Sequence, residues 1–129
     1  MRGSAGHSAG QATVELVLVL PMVVLAILLV IQVGLIARSQ VLVVNAAREG
    51  ARAASVDGPS AAEPAARDSP GLSPDRLRVD ADTVAESTGD LVRVRVRYRA
   101  PTDVAIVGAL LGEPDLTAEV TMRLEQRVN

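Results

Sequence analysis

From Leu16 to Ala37 the chain runs 22 residues without a charged side chain. A helix of that length, at about 1.5 Å per residue, is about 33 Å long and crosses a hydrocarbon core of about 30 Å. The run has no polar face, which a helix buried in a soluble core would need on its outer side. It is also longer than the apolar part of a secretory signal and lacks a break, so it reads as a retained span. Pro21, early in the run, either bends this helix locally or ends a short separate piece before it.

After Arg38 the pattern becomes amphipathic. Asn45, Arg48, Glu49 and Arg52 fall at helical spacing on one polar stripe, and Val43, Ala47, Gly50 and Ala54 form an opposing stripe of small residues. Such a stripe either admits close approach of another backbone or reflects Ala-rich helix propensity alone. One rod from 11 to about 56 is therefore expected. Pro59, Pro64, Pro70, Pro74, Gly58 and Gly71 mark 57–75 as a linker or loop, with a short turn of helix near 61–67.

The period then changes to two. Leu77, Val79 and Ala81 alternate with Arg78, Asp80 and Asp82, and Val92, Val94, Val96 and Tyr98 alternate with Arg93, Arg95, Arg97 and Arg99. Turn residues 86–90 join them as a hairpin. The apolar segment 104–111 is expected to form about one helical turn capping the sheet, and a third strand places Ala118, Val120, Met122 and Leu124 on the apolar face. The predicted class is α+β: a long N-terminal transmembrane and amphipathic helix followed by a three-stranded antiparallel meander at 76–128.

Composition narrows the chemistry. Cys is absent, which excludes disulfides and thiolate metal sites, and the single His, His7, leaves no triad or zinc set. No Lys occurs, so no phosphate loop of the GK type is possible. Asp80 and Asp82 lack the spacing of a calcium loop. No catalytic, cofactor or metal constellation is expected. The four arginines of the second strand suggest nucleic acid, but Tyr98 is the only aromatic residue and the net charge is −2. A ladder with Asp80, Asp82, Glu119 and Glu125 across the strands explains them without a nucleic-acid partner.

The polar–apolar junction carries the functional signal. Gly10 precedes Gln11-Ala12-Thr13-Val14-Glu15, and Glu15 is the only acid near the apolar run. Either Glu15 snorkels at the lipid edge, or it pairs with a cation supplied by another chain. Gly10-Gln11-Ala12-Thr13-Val14-Glu15-Leu16, then Leu20-Pro21, then 45–52 (Asn-Ala-Ala-Arg-Glu-Gly-Ala-Arg), resembles the TadE-like family of pseudopilins of the tight-adherence (type IVb) pilus system. Segment 117–125 is similar to that family's closing strand.

The resemblance implies a leader, 1–10, removed by a prepilin peptidase between Gly10 and Gln11, with Glu15 as the fifth mature residue serving subunit assembly. It implies a single-pass protein of the bacterial cytoplasmic membrane, N-terminus cytoplasmic and C-terminal domain outside. The implied partners are other pilin and pseudopilin subunits, the peptidase, the pilus assembly machinery and the bilayer. Leu16 stands where the family often has an aromatic residue. Arg38, Arg48 and Arg52 follow the span while Arg2 precedes it, so charge alone points to the opposite orientation. The alternative reading is an uncleaved signal-anchored domain that binds an extracytoplasmic ligand.

Overall fold

The computed structural model describes residues 6–87 and 89–125; residues 1–5 of the expected leader, Thr88 of the hairpin turn and the last four residues lie outside it. A single helix, α1, runs Gly6–Asp57, about 78 Å at the helical rise. It takes in the second half of the expected leader as well as the apolar run. Pro21 lies inside this helix and does not end it. The helix stops where Gly58 adopts φ 92, a conformation other residues avoid, and Pro59 follows.

After the short 3-10 turn Pro59–Ala61, α2 (Ala62–Arg67) lies against α1, with Ala62 and Ala66 fully buried. The Pro- and Ala-rich segment therefore packs on the helix it follows. A second 3-10 turn, Pro74–Arg76, leads into β1 (Leu77–Val84), β2 (Leu91–Arg99), α3 (Ala105–Leu111) and β3 (Asp115–Arg123).

The sheet has the order β1-β2-β3, antiparallel throughout, with Val79 opposite Val96 and Val94 opposite Val120. The two-residue period puts Leu77, Val92, Val94, Val96, Tyr98 and Ala118 on one buried face. That face covers Val43, Ala46, Ala47, Gly50, Ala51 and Ala54 of α1, while Asn45, Arg48, Glu49 and Arg52 stay exposed. Small side chains on the helix allow this close sheet–helix contact and make up for the scarcity of rings in the core. Two bonds fix the strand along the helix: Gln40 Nε2 donates to the Thr117 carbonyl at 3.3 Å, and the Glu125 N–H donates to the Ser55 carbonyl at 2.9 Å.

Candidate processing and assembly site

Residues 10 to 27 of α1 are exposed throughout. The helix is long and apolar enough to cross a membrane by length and composition. Gly10, Gln11 and Glu15 lie on this bare stretch. Gln11 and Glu15 are four residues apart, so their side chains share a face one turn apart. A Cβ built on Gly10 would meet nothing within 4 Å. Glycine here costs the helix about 1 kcal/mol against alanine, and no contact among the described residues requires it. Glu15 has no ion-pair partner among the described residues. Arg38 is the nearest described cation along the chain, about 35 Å up the axis. A carboxylate on an otherwise apolar surface, with no cation in reach among the described residues, is chemically incomplete.

The small-residue stripe has a different fate. Val43, Ala47, Gly50 and Ala54 are buried inside the chain. A Cβ on Gly50 would sit 3.1 Å from the Ala62 carbonyl oxygen, 3.3 Å from Val94 Cγ1 and 3.4 Å from Ala66 Cβ. The close-approaching backbone is therefore the chain's own α2. Surfaces left for a neighbouring helix are the exposed apolar positions below Arg38 and the polar stripe above it.

Lower on α1, Leu28 and Ile36 are half-buried and Gln32 between them is fully buried, both amide atoms lacking a hydrogen-bond partner. A buried amide left unpaired costs about 1–3 kcal/mol on mutational scales. A single Gln in an otherwise apolar run was the sequence signal for this place, and periodicity alone does not single it out.

The arginine row forms the expected charge ladder with altered partners. Arg95 donates to Glu119 at 2.6 and 2.9 Å, Arg93 approaches the same carboxylate at 3.4 Å, and Arg97 lies 3.6 Å from Asp80. Arg99 pairs with Asp115 at 3.4 Å and Arg76 with Glu113 at 3.0 Å, two acids that alternation did not single out. Asp82 faces Arg93 in register without a bond, and Glu125 lies beyond β3. The hydrogen bond and charge of Glu119 raise the Arg95 pKa, as Glu113 does for Arg76, so both guanidiniums stay charged. An open depression lined by Arg76, Arg78, Arg97, Arg99, Asp75, Glu113 and Asp115 mixes both signs, unlike a surface that attracts phosphates.

No curated protein and no solved structure matches the chain. One family model does, described as TadE-like protein, over residues 10–52. The matched stretch opens on Gly10 and takes in Glu15, the apolar run and the amphipathic extension through Arg52, while the sheet lies outside it. The family that the junction and the 45–52 segment resemble is thus the one whose model this N-terminal helix matches.

Proposed function

We propose that the chain is a TadE-like, membrane-anchored pseudopilin acting in the assembly of a type IVb (tight-adherence) pilus. It inserts with its N-terminus in the cytoplasm, and a prepilin peptidase cleaves between Gly10 and Gln11. The peptidase, other pilin and pseudopilin subunits and the assembly machinery are its partners.

One observation carries this reading: Gly10 and Glu15 stand exposed at the head of an uncharged run, neither packed against another of the described residues. Cleavage creates an amino group at Gln11. Its own Glu15 lies four residues on, but a neighbouring subunit shifted along the axis can bring its amine beside this carboxylate. An isolated carboxylate at the bilayer centre costs about 2.5–3.5 kcal/mol on the insertion scale. An amine at about 4 Å, at an effective dielectric near 20, contributes roughly 4 kcal/mol before desolvation. The pairing thus sets the axial register between subunits.

The test uses Glu15→Ala and Glu15→Asp in the native cell. Both insert; Glu15→Ala no longer co-isolates with pilin subunits after crosslinking, and Glu15→Asp retains part of the yield. Undiminished co-isolation of Glu15→Ala contradicts the assembly role.

A further inference from the structure

We propose that α3 is a second membrane-contacting element, its Ile106, Leu110 and Leu111 entering the acyl chains of the outer leaflet beside α1. The inference rests on the reading above in two respects, that the apolar run of α1 spans a bilayer and that its N-terminus is cytoplasmic.

β3 runs alongside the helix in the same direction, Thr117 level with Gln40 and Glu125 level with Ser55. The segment before β3 therefore extends below Gln40, toward the apolar run, and α3, which belongs to that segment, packs on α1. Between residues 10 and 38 only Leu28, Gln32 and Ile36 are sheltered, at four-residue intervals on one face. That face carries upward into Ser39, Gln40 and Val43, where the sheet takes over. α3 is the element in place to cover the lower part. Gln32 is six residues below Arg38, the first charge after the run, which puts it about 9 Å inside that boundary.

The surface of α3 has the chemistry for that depth. Residues 104–112 carry no charge, and Asp103 and Glu113 bracket them. Val107 is turned inward at 4% exposure, whereas Ile106, Leu110 and Leu111 are 55%, 79% and 54% exposed. α1 likewise exposes Ile31, Val33 and Leu35 at the upper end of its apolar run.

Backbone ends, the usual obstacle to placing a short helix near lipid, are partly closed. The Thr102 hydroxyl donates to the Gly112 carbonyl at 2.6 Å, and the Gly112 N–H donates to Gly108 at 3.0 Å. A Cβ on Gly108 would come within 3.0 Å of Thr102 Cγ2, so the loop holds the helix tightly. The exposed face offers no hydrogen-bonding side chain to specify a protein groove, and it belongs to an element packed on the helix whose run is read as lipid-facing. Lipid is the occupant this favours over a second protein.

Because the chain has no Cys, single labels test this in the full protein. Leu110→Cys, Leu25→Cys and Thr121→Cys each carry an environment-sensitive fluorophore, in phosphatidylcholine/phosphatidylglycerol vesicles containing lipids brominated high on the acyl chain. The expected result is quenching at Leu110→Cys at least threefold above Thr121→Cys, unchanged when the protein-to-lipid ratio is lowered tenfold. Quenching at Leu25→Cys with Leu110→Cys behaving like Thr121→Cys overturns the inference and leaves the span intact. Loss of quenching at both Leu25→Cys and Leu110→Cys overturns the span itself. Shielding of Leu110→Cys from water without bromolipid quenching, or only at high protein density, assigns the face to a protein neighbour and also overturns it.

Discussion

Gly50 sits where α1, α2 and the sheet meet, and its coupling to Val94 can be worked through. In Gly50→Ala the new methyl gains about 1 kcal/mol of helix propensity. It also lands 3.1 Å from the Ala62 oxygen and 3.3 Å from Val94 Cγ1, tighter than ordinary contact. Overpacking of a well-filled core costs about 1–3 kcal/mol, so the net effect is a loss of about 1 kcal/mol. Val94 is fully buried, and Val94→Ala removes two carbons at about 0.8 kcal/mol each plus the cavity they leave, about 2 kcal/mol in all.

Independent effects would add to about 3 kcal/mol. In the double variant, however, the alanine methyl at 50 occupies space vacated by Val94, and only the Ala62 contact remains tight. The expected total is about 2 kcal/mol, a coupling of about 1 kcal/mol. Tyr98, the only aromatic residue and 4% exposed, reports the transition without an added probe. Its hydroxyl accepts the Ser73 N–H at 3.4 Å, so its fluorescence follows the contact between sheet and loop. The assay is urea unfolding of the full chain in detergent micelles. Effects that add to within about 0.3 kcal/mol refute the claim that α1 and β2 meet at this point.

Three further outcomes are expected. Glu119→Gln removes the negative charge that Arg95 and Arg93 share on exposed strands, and costs at most about 1 kcal/mol, shrinking between 50 mM and 500 mM salt; a larger, salt-independent loss contradicts a solvent-screened ladder. Gly58→Ala forces a Cβ into φ 92 at the end of α1 and lowers stability by about 1 kcal/mol or more, read by the same unfolding curve; an unchanged midpoint contradicts the termination argument. Glu119 raises the Arg95 pKa in the folded state, so its stabilisation is complete through the neutral and mildly alkaline range and fades only in strong alkali. With no Cys and His7 the only His, Tm is expected to stay flat between pH 6 and 9, and a step in that window contradicts this.

Elements with a clean period were legible in the sequence, and their neighbours were less so. The two-residue alternation of 77–81, 92–98 and 118–124 specified both strand identity and the buried face, because a slip of one residue would turn every Val outward. The stripe at Val43, Ala47, Gly50 and Ala54 announced a close approach, but periodicity along one helix cannot say whose backbone approaches; Ala62 and Ala66 of the same chain fill it. Arg99 was assigned to the ladder, yet its partner Asp115 sits at the very start of β3, where alternation is too short to read. The apolar segment 104–111 was legible as a helical turn, but its packing on α1 depends on the placement of β3 along the helix, fixed by the Gln40–Thr117 bond between residues 77 apart. At the junction, Gly10 and Glu15 stood out because each breaks a rule of its surroundings. Glycine costs a helix and an acid costs an apolar surface, and such costs are visible without coordinates.

The intact mass of the protein extracted from its native membrane, in cells with and without the prepilin peptidase, tests the proposed role most directly. The account predicts a chain beginning at Gln11 when the peptidase is present and one retaining Gly10 and the residues before it when the peptidase is deleted. A chain that keeps its first ten residues in both strains contradicts it.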